Sequence, residues 1–245
     1  MYDRRLTVTK ALIIINVVVF MVGLMVQREA MLGISFPQAP KTSVFEITCA
    51  YSWFTCFLEG QFWRMVTYQF VHANFGHILF NMWALFFFGP AVENAMGPRR
   101  FLLFYLVCGI AGALFSSLLA GMGLYTSIPD TAQYEYICIQ LAAFAGFDGY
   151  VHCWQMIPQV GASASIYGVM VACAFMYPDV QISLLFPPVT LRLRTFALII
   201  IGIATATILF NLGNAGGEAG HLGGIIMGAI IMAVWKYRSR YNQPW

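Results

Sequence analysis

The sequence predicts an all-α, polytopic membrane protein: a bundle of six transmembrane helices. Three observations predict it. Of 245 residues, 60% are hydrophobic and only 9% charged, with a mean hydropathy of +0.74, which is more apolar surface than a water-soluble domain of this length can hide. Six apolar runs, near 11–27, 76–92, 101–121, 161–177, 195–212 and 219–235, are each about the length a helix needs to cross a ~30 Å hydrocarbon core. Ten of the thirteen basic residues fall into four groups outside these runs.

The first run follows "MYDRRLTVTK". A charged start and an apolar stretch resemble a secretory signal, but the stretch is long and no small-residue cleavage site follows, so it reads as an uncleaved first helix. The basic groups are Arg4, Arg5 and Lys10; Arg99 and Arg100; Arg192 and Arg194; and Lys236, Arg238 and Arg240. With six spans all four lie on one side, which the positive-inside rule makes the cytoplasm, so both termini are expected there. Arg28, Lys41 and Arg64 fall in the first outer loop beside Glu29, Glu46 and Glu59.

Between the third and fourth runs lies a long loop, 122–160, whose segment 134–145 is apolar but too short to span. Crossing there would put Arg192 and Arg194 outside, so it is expected to be interfacial or re-entrant. Cys49, Cys56, Cys138 and Cys153 lie in the two outer loops, where they would form disulfides in an oxidising compartment or stay as packed thiols. Spans and connections use nearly all of 1–245, so one membrane domain is expected, with no appended soluble domain. The net charge of +3 is spread over loop ends rather than gathered in a nucleic-acid-binding patch.

Polar groups inside a membrane are costly and mark functional sites. Runs two, four and six all enter from the same side, and His77, Ser163 and His221 stand near the entering end of each. His77 and Asn81 share a helix face, as do Ser163 and Tyr167. Small residues follow the same pattern: Gly161, Ala162, Ala164 and Gly168 on run four, and Gly224 and Gly228 in line with His221 on run six, so these two helices are expected to touch.

A serine beside a histidine is the minimal activated nucleophile, because a neutral imidazole can take the hydroxyl proton. Tyr167 is the group available to orient the base, with Glu218 expected in the loop before run six. His77, Asn81 and the backbone N–H of Ser163 supply donors for a developing oxyanion. Ser165 and Asn16 read as packing residues.

These residues resemble the rhomboid intramembrane serine proteases. "GASAS" is similar to the family's G-x-S-x nucleophile motif, "GHLGG" to its histidine motif and "HANFGHILFN" to its second-span pattern. The resemblance covers about 5–236 and implies Ser163 as nucleophile, His221 as general base, His77 and Asn81 at the oxyanion, and His72 in a supporting role in the loop. Trp63 and Arg64 match the family's first-loop pair, and Glu93 with Gly97 its second-span exit, where the glutamate is structural. Ala164 departs from the usual glycine. The implied activity is hydrolysis of peptide bonds in or near transmembrane segments, with the site open to the outer, periplasmic side of a bacterial plasma membrane. The implied partners are transmembrane substrate proteins and membrane lipid, with no cofactor, metal or nucleic acid. The motifs H-E-x-x-H and paired intramembrane Asp, which would mark metallo- or aspartyl chemistry, are absent from the sequence. The alternative is a proteolytically inactive relative that binds transmembrane clients. A small transporter would be expected to show repeats or broken helices, and neither is seen.

Overall fold

The computed structural model describes residues 6–28, 42–125, 152–183 and 188–241, and they are mostly helical. Six helices carry the six apolar runs: α1 (Val8–Met25), α2 (Phe75–Met96), α3 (Pro98–Gly121), α4 (Ser163–Met176), α5 (Leu193–Leu209) and α6 (Ala215–Tyr241). Four of them, α1, α2, α3 and α6, are long and apolar enough to cross a membrane. The other two expected spans are shorter, with 14 residues in α4 and 17 in α5. The expected 161–177 run contracts at both ends for local reasons. Gly161 has φ +118°, which no helix accepts, and Pro178 follows Tyr177, disfavouring helical backbone at the residue before it. The short apolar segment 134–145 and Cys138 lie outside the described residues, while Cys49 and Cys56 are free thiols.

The ends of the helices are fixed by side chains. Thr7 caps α1 by accepting from the Lys10 amide at 3.3 Å. Glu93, near the end of α2, accepts from the Val8 and Thr9 amides at 2.7 and 2.8 Å and from the Thr9 hydroxyl at 2.6 Å, so a buried carboxylate holds the start of α1. Asn74 caps α2 by accepting from the His77 amide at 2.9 Å. Gly97, at φ +81°, turns the chain from α2 into α3, and Pro98 opens α3 where its missing N–H costs nothing.

Helix α4 is the centre of the bundle. Ten of its residues are buried, and it packs against α2, α3, α5 and α6. Packing without a hydrophobic driving force depends on close backbone approach. A Cβ on Gly224 would run into the backbone oxygen of Ala164, and one on Gly228 would lie 3.0 Å from the Gly168 oxygen. These two pairs advance in step, so α4 and α6 are parallel. The Ala164 methyl is buried and faces Gly112 of α3.

The loop between α1 and α2 is a folded cap. It contains a short helix at Val44–Cys49, a π-helical turn at Phe54–Leu58, a turn of helix at Arg64–Thr67 and a 3₁₀ turn at Tyr68–Phe70. Arg64 is buried and donates to the Ala50 carbonyl at 2.8 Å and to Gln61 Oε1. Tyr51 and Gln159 exchange backbone hydrogen bonds of 3.0 and 2.7 Å, and the Gly161 amide donates to the Tyr68 carbonyl at 2.9 Å. The loop therefore grips the chain immediately before α4. Buried Ser165 donates to Gln69 Oε1 at 2.9 Å, a packing role.

His72 completes that grip: its Nε2 accepts from the Ala162 amide at 3.4 Å, and its ring is buried. Burial, aided by neighbouring His77, pushes its pKa down to about 3. Protonation would also place a donor against the donating amide.

Two predictions concern stability. Gly224→Ala and Ala164→Leu should each lower Tm in detergent, with packing costs of ~1–3 kcal/mol, because backbone or a neighbouring helix occupies the space required. An unchanged Tm would show that the helices are not in close contact. For His72 the unfolded chain takes up a proton near pH 6.5 and the folded protein only near 3. Between those values the unfolded state binds the extra proton, so stability falls as pH is lowered, by up to ~1.4 kcal/mol per pH unit. His72→Gln should flatten that acid limb, read by chemical denaturation in detergent across the window.

Candidate functional site

A cavity of about 1430 Å³ is lined by His77, Asn81, Gly161, Ser163, Tyr167 and His221, among others. Three helices and the turn before α4 supply them. Gly161 makes the approach possible: a Cβ there would lie 2.6 Å from His77 Nε2 and 3.7 Å from Asn81 Nδ2. Since its φ is also in the left-handed region, glycine is required twice over. Asn81 is buried, and its Nδ2 has no hydrogen-bond partner.

Ser163 is half-buried and is the first residue of α4. Its backbone N–H thus has no acceptor within the helix and lies at the positive end of the helix dipole. One turn further along the same face, the Tyr167 ring stacks on the His221 imidazole, with centroids 4.1 Å apart and planes at 9°. The parallel register of α4 and α6 sets this meeting, because His221 lies one turn before Gly224, which touches Ala164.

His221 has a second partner. Its Nδ1 lies 3.0 Å from Glu218 Oε2, with the two side chains 13% and 18% exposed. The sequence reading places Glu218 in the loop, whereas the structure places it in the first turn of α6. The helix begins four residues earlier than the apolar run, at Ala215, with the Glu218 amide donating to the Asn214 carbonyl at 3.0 Å. Hydropathy alone misses this turn, because glycines and a glutamate dilute it. The i,i+3 spacing of Glu218 and His221 is the signal that could have found the contact.

Ala164 also lines the cavity, whereas His72, Trp63, Arg64, Glu93 and Gly224 fall outside it. His72 stands behind it, its ring 5.0 Å from that of His77 in an edge-on arrangement. Arg64 is committed to the loop, and Trp63 is 57% exposed. Glu93 holds α1, and Gly224 serves the α4–α6 contact. Among the described residues no His, Cys, Asp and Glu side chains cluster as a metal site would. What the cavity gathers is a hydroxyl, an imidazole held on two sides, and unspent N–H donors.

A family model for the rhomboid domain matches residues 59–238. The chain is 31% identical over 176 residues to Rhomboid protease AarA of Providencia stuartii, covering 71% of this chain and 56% of that protein. It is 29% identical over 185 residues to the Putative rhomboid protease YdcA of Bacillus subtilis, covering 75% and 73%. With the mitochondrial RHOMBOID-like protein 12 of Arabidopsis thaliana it shares 27% over 187 residues, covering 76% and 50%. The matched part of this chain therefore spans about half the length of the Providencia and mitochondrial relatives. Not every relative is named a protease, since one from Arabidopsis thaliana is called Inactive RHOMBOID-like protein 8. The family match covers most of the chain and includes the whole cavity, and with it goes the bundle of apolar helices: this integral membrane protein belongs to the rhomboid family.

Proposed function

We propose that the chain is an intramembrane serine endopeptidase that hydrolyses peptide bonds in or near transmembrane segments of membrane-protein substrates. The observation that carries this reading is that Ser163, His221, His77 and Asn81 line one cavity, with the His221 ring stacked on Tyr167 one turn after Ser163. That set puts a hydroxyl nucleophile, an imidazole base and hydrogen-bond donors around one space, which helix packing alone does not require. The protease names of several relatives support the same reading.

In this mechanism His221 takes the proton from Ser163 Oγ as the oxygen attacks the scissile carbonyl carbon. The carbonyl electron pair moves to the oxygen, which accepts from Asn81 Nδ2, His77 and the Ser163 N–H. Collapse of the tetrahedral species breaks the C–N bond, and His221 returns its proton to the leaving amine. Water, activated by the same imidazole, then hydrolyses the acyl-enzyme. No metal or cofactor enters. A helical substrate segment hides its peptide bonds, so clients with Gly, Ser or Pro near the cut are expected to unwind into the cavity more readily.

The whole of 1–245 acts as one unit with α4 and α5 completing six spans, in a bacterial plasma membrane. The distribution of basic groups supports cytoplasmic termini by the positive-inside rule, with the cavity opening outward. The alternative reading, a client-binding relative without proteolysis, is favoured by the relative named inactive. Mass spectrometry of a model single-span substrate incubated with wild type and Ser163→Ala decides between them. New termini formed by wild type alone support the protease, and an intact substrate in both supports the binder.

His221→Ala should abolish turnover as fully as Ser163→Ala, with the double variant no worse, because residues acting as a unit are not additive. Substantial turnover by His221→Ala would remove it as the base. Asn81→Ala should slow turnover by about 10²-fold while leaving activity, since two donors remain. A full rate would remove Asn81 from the oxyanion site.

A further inference from the structure

The contact between His221 and Glu218 has no place in a two-residue mechanism. It involves an ionisable side chain that reaches the imidazole from the same helix, three residues earlier, at 3.0 Å and largely shielded from solvent. The ring is constrained in two independent ways. Stacking on Tyr167 fixes its plane, and the bond to Glu218 fixes its rotation within that plane. Tyr167 presents only its face, so it cannot choose between the two ring nitrogens. Glu218 can: a carboxylate only accepts hydrogen bonds, so its partner Nδ1 must carry the proton, and in the neutral ring that leaves Nε2 with the lone pair.

We infer that Glu218 is a positioning residue that extends the pair Ser163–His221 to a Glu–His–Ser relay. It holds His221 in the tautomer whose Nε2 can accept, and it stabilises the imidazolium formed when Nε2 takes the Ser163 proton. The proton stays on the imidazole until the leaving amine takes it, and none passes to Glu218. The inference rests on the protease reading above and adds a residue to it.

Three variants and one spectroscopic measurement test it. Glu218→Ala removes both the acceptor and the charge, and should lower kcat at least tenfold with KM changed less than about threefold. Glu218→Gln keeps an amide oxygen that can accept from Nδ1 but lacks the charge, so its kcat should fall between those of wild type and Glu218→Ala. Imidazole ¹⁵N spectra of histidine-labelled protein in detergent, with the His221 signal assigned by its loss in His221→Ala, should show Nδ1 protonated in wild type and in Glu218→Gln. In Glu218→Ala the signal should shift toward the Nε2-protonated form. A purely structural role at the helix end would lower Tm but leave kcat and the tautomer signature at their wild-type values, and that result overturns the inference. Should Glu218→Ala fail to fold, the Glu218→Gln kinetics and the wild-type spectrum decide alone: wild-type kcat in Glu218→Gln, or Nε2 protonated in wild type, would be fatal. Ser163→Ala separates the two levels. If it cleaves as wild type does, the protease reading falls, whereas a silent Ser163→Ala beside an unaffected Glu218→Ala removes only the relay.

Discussion

Helices α4 and α6 can meet only because residue 224 has no side chain. A methyl there would occupy the position of the Ala164 carbonyl oxygen, and Gly228 repeats the requirement one turn on against Gly168. Within a membrane the lipid is as apolar as the helices, so such approach, with its van der Waals contact, is what holds two spans together. Everything at the cavity follows from the register this contact sets. It brings His221 level with the first turns of α4, where Tyr167 can stack on it, and it leaves Ser163 on the same face. Helix α3 closes the third side, with Gly112 admitting the Ala164 methyl.

The cap formed by the α1–α2 loop does the complementary work at the upper end. The chain enters α4 through Gly161 at φ +118°, a conformation that glycine takes readily but that leaves its direction to be fixed by what surrounds it. Here the Tyr51–Gln159 bridge, the Gly161 bond to Tyr68 and the Ala162 bond to His72 hold it in succession. The loop is held in turn by buried Arg64 and by Gln69, whose amide also reaches the Leu106 carbonyl. Residues that sequence motifs single out thus divide into two sets: those that line the cavity and those that hold its walls.

Much of this was legible beforehand, for identifiable reasons. Apolar length finds helices, and i,i+4 spacing puts His77 with Asn81 and Ser163 with Tyr167 on common faces; all four line the cavity. The small residues announced the α4–α6 contact. What sequence did not disclose was set by backbone geometry. Hydropathy runs through Gly161 without a break, so the start of α4 at Ser163 was invisible. The glycine-rich turn before His221 looked like loop, which hid Glu218 in the helix.

The shortness of α4 explains how a polar site can exist in this setting at all. Fourteen residues rise about 21 Å, roughly 9 Å less than a ~30 Å hydrocarbon core. The missing length is not at the Met176 end. There the chain passes at once to Asp179, whose 70% exposed carboxylate pairs with Arg192 and Arg194, themselves more than half exposed, as an aqueous surface demands. Where α4 crosses as one of the six proposed spans, that shortfall falls at Ser163. Irregular backbone within a membrane is tolerated only where protein or a cavity surrounds it, and the turn at Gly161 has the loop on one side and the cavity on the other. A full-length helix would have spent the N–H groups of its first turn on the turn above. Breaking it at Gly161 leaves the Ser163 N–H without a helical acceptor, beside the cavity that Ser163 and Asn81 line, so the same irregularity that shortens the helix supplies polarity to the site.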